Sequence, residues 1–129
     1  MKANELSCKD LMIGDWVMIN PISYYQVEQI RMEFGELRIY LKGTEVFATE
    51  NEIMPIPLTP EILEKNGWIY IAEDKVFYSE NLKGELPWIY YITDGTNEIF
   101  RMKDFFNLQY VHELQHALRL CGIEKEIIL

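Results

Sequence analysis

The stretch DFFNLQYVHELQHALRLCG, from Asp104 to Gly122, carries the longest helical pattern of the chain. Asp104 is a favourable N-cap residue, apolar side chains then recur along one side as far as Leu120, and Gly122 is a common helix end. We therefore predict a helix over Asp104–Leu120 whose apolar face covers the second half of the fold.

The same stretch contains His112-Glu113-Leu114-Gln115-His116, which has the H-E-x-x-H spacing of zinc metalloproteases. Residues four apart lie side by side on a helix, so two imidazoles can share one zinc ion while the glutamate polarises a bound water. On this hypothesis His112 and His116 are metal ligands and Glu113 is the catalytic residue of a small zinc-dependent hydrolase.

The residues after His116 lack the rest of a zinc-protease pattern. The 13 residues that follow contain no further histidine and leave no room for a second helix with a glutamate ligand. Their carboxylates, Glu124 and Glu126, lie beyond the helix-ending Gly122, so a third ligand would have to come from an earlier strand. We therefore expect no catalytic residue, no metal centre and no cofactor. The alternative is an adventitious metal site with no biological role.

A helical wheel also argues against a catalytic site. At about 100° per residue, Val111, Leu114 and Leu118 share one face, whereas His112 and His116 fall nearly opposite them. This arrangement predicts that both histidines face solvent. Leu120 is the apolar residue on that polar side, either covered by a partner or simply exposed.

Composition is typical of a folded protein, because 49% of the 129 residues are hydrophobic and 13% are aromatic. The net charge of −9 is spread evenly along the chain. No window is rich in lysine and arginine, so we expect no nucleic-acid partner. The acidity is interpreted as a device for solubility.

The cell compartment is predicted from what the sequence lacks. No apolar run is long enough to cross a bilayer, and the N-terminal residues have no apolar signal segment. The two cysteines, Cys8 and Cys121, lie far apart and form no C-x-x-C pair, so we expect reduced thiols. The prediction is a cytoplasmic protein without a membrane partner.

Residues 1–58 are predicted to form a strand-rich half. The strands expected are Trp16–Ile19, Tyr24–Met32, Leu37–Lys42, Glu45–Ala48 and Glu52–Ile56, with a hairpin turn at residues 33–36. Five short strands joined by tight turns suggest a small barrel, and the Gly14-Asp15-Trp16-Val17 opening resembles the first strand of SH3-like barrels. The alternative is a plain antiparallel sheet without a function of its own.

Residues 59–129 are predicted to form a short helix, an antiparallel meander and the C-terminal helix, sharing one core with the first half. Thr59 is a suitable N-cap for a helix over Pro60–Lys65, which Asn66-Gly67 ends. The elements that follow are strands Trp68–Ile71 and Val76–Tyr78, a loop over Asn81–Pro87, and strands Trp88–Thr93 and Thr96–Met102 joined by a two-residue Asp94-Gly95 turn. The fold class is therefore α+β.

The core and the aromatic residues of the strands are predicted together. The aromatic residues are interpreted as core and cross-strand pairs, with a binding platform as the alternative.

The apolar tail, Ile123–Leu129, is expected to pack as an edge strand. The predicted core comprises Trp16, Val17, Ile39, Leu41, Ile62, Trp68, Ile71, Phe77, Ile89, Tyr91, Phe100, Leu108, Val111, Leu114, Leu118 and Cys121.

Three blocks of the chain resemble a group of small uncharacterised proteins of gut anaerobic bacteria and their phages or mobile elements. The blocks are Ile13–Val17 (IGDWV), Pro55–Leu63 (PIPLTPEIL) and Val111–Gln115 (VHxLQ), so the resemblance spans nearly the whole chain. The group has no assigned activity, and its helix commonly carries V-H-x-L-Q-N, from which Glu113 and His116 depart. The resemblance implies a fold and a phage or mobile-element origin.

These observations predict a cytosolic, non-catalytic protein-interaction module whose binding residues and protein partner the sequence does not identify. The first alternative is the zinc-dependent hydrolase that uses His112, Glu113 and His116. The second is a structural phage component, which would require a specific oligomer.

Overall fold

The computed structural model describes residues 11–79, 87–93, 95–96, 98–102 and 106–129, with Phe106 described by its backbone alone. The chain divides into two compact units, Met1–Ile56 and Pro57–Leu129. The described residues of each unit form one five-stranded antiparallel sheet. Helices belong to the second unit, so the α+β prediction is confirmed.

The first unit follows the predicted strands with shifted boundaries. Its strands are β1 (Trp16–Asn20), β2 (Ser23–Glu33), β3 (Glu36–Leu41), β4 (Phe47–Thr49) and β5 (Met54–Pro55). Their order in the sheet is β4-β3-β2-β1-β5. No pairing joins β4 to β5 among the described residues, so a closed barrel is not found and the SH3-like barrel remains a prediction.

The β2–β3 hairpin shows why this unit folds as its sequence predicts. Glu33 pairs with Glu36 across a two-residue turn, in which Phe34 and Gly35 have φ angles of 52° and 79°. Two positive φ angles are typical of the type I′ turn, whose twist matches that of the flanking strands. Beyond the turn, buried Ile39 alternates with Arg38 and Tyr40 on the other face, as the period of two predicts.

The second unit contains helix α1 (Pro60–Lys65), then β6 (Ile69–Ile71), β7 (Val76–Tyr78), β8 (Ile89–Thr93), β9 (Glu98–Met102) and β10 (Phe106–Leu108), and helix α2 (Val111–Leu120). The strand order is β10-β9-β8-β7-β6. Helix α1 has its predicted bounds, because the Thr59 hydroxyl accepts the Ile62 N–H at 3.2 Å as an N-cap.

The predicted start of the C-terminal helix is wrong. Phe106 to Leu108 form strand β10, which pairs with Phe100–Met102 of β9, and helix α2 begins at Val111. Aromatic residues suit a strand as well as a helix, and the pairing with β9 decides between the two. The predicted cap, Asp104, lies outside the described residues.

The predicted two-residue hairpin is also wrong. Thr93 pairs with Glu98, so four residues lie between β8 and β9. Two of them, Asp94 and Asn97, lie outside the described residues, as does most of the predicted Asn81–Pro87 loop.

Most of the predicted core residues are buried. Eleven of the sixteen are buried, and the remaining five are half-buried. These five are Trp16, Ile62, Ile71, Tyr91 and Cys121. The tail buries Ile127 but forms no strand in the described residues, so the edge-strand prediction is wrong. None of the helices in the described part of the chain has the length and apolar character that a membrane crossing requires.

Candidate functional site

Glu113, the sequence-predicted catalytic residue, caps helix α2. Its Oε1 atom accepts the backbone N–H of Gln109 and the backbone N–H of Tyr110, both at 2.9 Å. A glutamate at the third helical position commonly reaches back in this way to the N-cap residue, which is Tyr110 here. The carboxylate is thereby held at the first turn of the helix, where it also complements the helix dipole.

The prediction that both histidines face solvent is wrong for His112. Its side chain is 4% exposed, and Gln115 beside it is 7% exposed, whereas His116 is half-buried. The apolar stripe lies where the wheel placed it, because Val111, Leu114 and Leu118 are buried. The buried arc of the helix is wider than that stripe and includes His112 and Gln115. Side-chain polarity was therefore not sufficient to predict which side of the helix is exposed.

The two imidazole rings are neighbours in an aromatic stack. The His112 ring lies 5.9 Å from the Tyr110 ring between centroids, at an interplanar angle of 11°. His116 meets it edge-on, with 5.6 Å between centroids and an angle of 75°. These contacts pack the N-terminal end of α2 and give His112 the neighbours of a core side chain.

A third ligand for these histidines is not supplied by the described residues. Among them, no group of three or more histidine, cysteine, aspartate or glutamate side chains could hold a metal ion. A catalytic zinc site needs three protein ligands and an open position. The described part of the chain thus brings His112 and His116 together without completing a zinc site.

A polar groove of about 370 Å³ lies elsewhere in the second unit, beside the start of α2. Its lining includes Thr93, Thr96, Glu98, Gln109 and Tyr110. The Glu98 carboxylate accepts the Tyr91 O–H at 2.6 Å. This hydrogen bond raises the pKa of Tyr91 to about 12 and ties Glu98 to the sheet.

A less polar groove lies in the first unit and is called the β4 groove. It has a volume of about 240 Å³. Its apolar wall is formed by Ile19, Leu41, Val46, Phe47 and Ala48. Its polar lining is formed by Asn20, Ser23, Tyr25 and Glu52. The floor belongs to the core of the unit, because Leu41 and Ala48 are buried there.

The β4 groove runs beside a sheet edge. Strand β4 ends the sheet, and among the described residues it pairs with β3 alone. On its outer side, the Thr49 N–H donates to Glu52 Oε1 at 3.0 Å, and the Thr49 hydroxyl donates to the same oxygen at 2.8 Å. These hydrogen bonds lower the pKa of Glu52, so the groove has a charged rim at neutral pH.

The Phe47 ring makes a contact with a cation of the neighbouring strand β3. The Arg38 guanidinium lies 4.1 Å from the Phe47 ring centroid, a distance suited to a cation–π contact. Its Nε atom is 3.0 Å from Glu36 Oε1, which balances the positive charge. Phe47 therefore contacts Arg38 and also lines the β4 groove.

The aromatic strands of the second unit divide between two faces. Tyr70, Phe77, Tyr91 and Phe100 form a cluster with centroids 4.8 to 6.1 Å apart, as expected for core pairs. Trp88 and Tyr90 are 55% and 44% exposed. Within the cluster Phe77 and Phe100 are buried core residues and Tyr70 and Tyr91 are half-buried, and the binding platform stays a prediction.

Sequence reasoning missed the β4 groove, because its lining comes from four strands and the segments beside β4, which only folding brings together. The Val46-Phe47 pair beside Glu45 and Glu50 was the available signal: apolar side chains in a short acidic strand segment. Comparison with known proteins adds no assignment, since no family model, curated protein or solved structure matches this chain.

Proposed function

We propose that this protein is a non-catalytic protein-interaction module that binds its partner through the β4 groove. The observation that carries the proposal is a groove of about 240 Å³ with an apolar wall and a polar rim, beside a sheet edge. Pockets for whole small molecules span roughly 300 to 1,000 Å³. The β4 groove is smaller, and its size suits one side chain of a protein partner.

The strand arrangement supports an SH3-like module as the form of this unit. Ile19 of β1 and Phe47 of β4 line one groove although two strands separate β1 from β4 in the sheet. The sheet must curl to bring them together. A bulge between Val27 and Gln29 of the long strand β2 provides such a bend.

The former catalytic candidates support a non-catalytic role. Glu113 is engaged in capping α2, and His112 is buried against Tyr110. These residues have a structural explanation that needs no substrate. A phage or mobile-element origin and a cytosolic location are further parts of the proposal, supported by the sequence resemblance and the sequence reasoning.

Partner capture with paired variants tests the function. The full chain is crosslinked in a lysate of its native host, alongside Val46→Arg and Met32→Arg. Val46 is 62% exposed and lines the groove, whereas Met32 is 68% exposed at the β2–β3 hairpin and does not line it. Both changes place the same charge on an exposed apolar position of the same unit.

The proposal expects a partner that wild type and Met32→Arg capture and Val46→Arg loses. Capture of no partner, or equal capture by all three chains, contradicts it. Far-ultraviolet circular dichroism of each variant verifies that the fold is retained. Retention is expected because substitutions at exposed positions change stability little.

A further inference from the structure

The free backbone edge beside the β4 groove extends to Phe47. Backbone groups two residues apart in a strand point to the same side. The Thr49 N–H points to Glu52, away from β3, so the N–H and C=O of Phe47, which lines the groove, also point away from β3. Phe47 can therefore pair with an added extended segment as an edge strand does.

Glu52 limits the length of that pairing. Its carboxylate already occupies the Thr49 N–H, which is the next outward donor along β4. An added segment can thus pair at Phe47 but not at Thr49. Pairing on β4 is thereby limited to Phe47, beside the groove that Val46 and Ile19 line.

The charges around the groove favour a basic segment. Glu45, Glu50 and Glu52 flank β4 in sequence, against Lys42 alone. Arg38 is not a lining residue of the groove, and Glu36 balances its charge. Glu52 is the charged residue in the groove lining, so charge complementarity selects partners with lysine or arginine.

We propose that the β4 groove binds an extended segment of a partner protein that places one large apolar side chain in the groove and a lysine or arginine against Glu52. This proposal rests on the proposed function, since it names the chemistry of the partner at the same groove. Backbone pairing at Phe47 contributes affinity, and the groove and Glu52 set the specificity.

A phage-displayed library of random short peptides, selected on the full chain, tests the partner chemistry. Enriched peptides are then measured on wild type, Val46→Arg, Glu52→Gln and the control Met32→Arg. The Gln side-chain oxygen can still accept the Thr49 hydrogen bonds, so Glu52→Gln removes the charge and keeps the turn. A new arginine in the groove is expected to weaken binding by at least about tenfold, and loss of the Glu52 charge by about fivefold.

The supporting result is a shared pattern of one large apolar residue next to lysine or arginine, weakened by Val46→Arg and Glu52→Gln and unchanged by Met32→Arg. Groove-dependent peptides without a basic residue, or with equal affinity for Glu52→Gln, overturn the partner chemistry while the proposed function stands. Absence of any enriched peptide, or retention of all of them by Val46→Arg, overturns the extended-segment proposal. Lysate capture then decides separately whether the groove binds a folded partner surface.

Discussion

The side-chain amide of Asn66 holds the backbone of Ile128 through two hydrogen bonds. Asn66 Nδ2 donates to the Ile128 carbonyl oxygen at 2.8 Å, and the Ile128 N–H donates to Asn66 Oδ1 at 2.7 Å. The same Nδ2 donates to the Ile62 carbonyl oxygen at 2.8 Å. One buried amide thus ends helix α1 and fixes the C-terminal tail, 62 residues away in sequence.

Replacing Asn66 with alanine is expected to lower the free energy of unfolding by about 2 kcal/mol, because three hydrogen bonds of a buried side chain are lost at roughly 0.5 to 1.5 kcal/mol each. Urea unfolding measures the change. Asn51→Ala, in an exposed turn, is the matched control and should stay within about 0.5 kcal/mol of wild type. Equal effects of the two variants would show that the tail contact adds nothing.

The capping role of Glu113 is separable from a catalytic role by two substitutions. Glu113→Ala removes the acceptor for the Gln109 and Tyr110 N–H groups and should cost about 1 kcal/mol of stability. Glu113→Gln keeps an acceptor oxygen and should cost less than half of that, since glutamine also serves in capping boxes. Thermal unfolding of the two variants checks the order. Equal losses would count against the cap.

Glu52 should make the stability of the first unit depend on pH in the acid range. Hydrogen bonds from the Thr49 N–H and hydroxyl lower its pKa below the ordinary 4.5. A carboxyl with a lowered folded-state pKa stabilises the fold above pH 4.5, and that contribution is lost as the pH falls through the lowered value. Urea unfolding of Glu52→Gln should therefore vary less with pH below 4.5 than that of Glu45→Gln, an exposed carboxylate in the same unit.

Tyr91 should ionise late because its O–H donates to Glu98, which raises its pKa to about 12. A raised folded-state pKa stabilises the fold below pH 10.0, and this contribution is lost as the pH rises toward 12. Tyrosinate absorbance, compared between wild type and Tyr91→Phe, isolates the transition. Glu98→Gln should move it toward 10.0. An unmoved transition would mean that Glu98 is not the cause.

Local signals predicted several elements correctly because neighbouring residues decide them. The Thr59 cap and the Asn66-Gly67 end fix the bounds of helix α1. Phe34-Gly35 fixes the β2–β3 turn through two positive φ angles. In each case, hydrogen bonds or backbone preferences act within a few residues.

Contacts between distant residues decided what sequence reasoning missed. Phe106–Leu108 is a strand because β9 lies beside it. His112 is buried although its polarity and wheel position predicted exposure. The β4 groove forms where Ile19 and Phe47 meet, and no local pattern encodes that meeting. The Glu113 cap could have been predicted, because Tyr110 and Glu113 have the spacing of a capping box. The prediction failed because the helix was assumed to begin at Asp104.

The claim that this chain is a binding module and not a zinc hydrolase is tested most directly by its zinc content. The full chain is washed with chelator, reloaded with zinc, dialysed and measured by elemental analysis, alongside His112→Asn and His116→Asn. We expect clearly less than one zinc per chain in all three proteins, because the described residues supply no third ligand. One zinc per wild-type chain, lost in both variants, would contradict the claim.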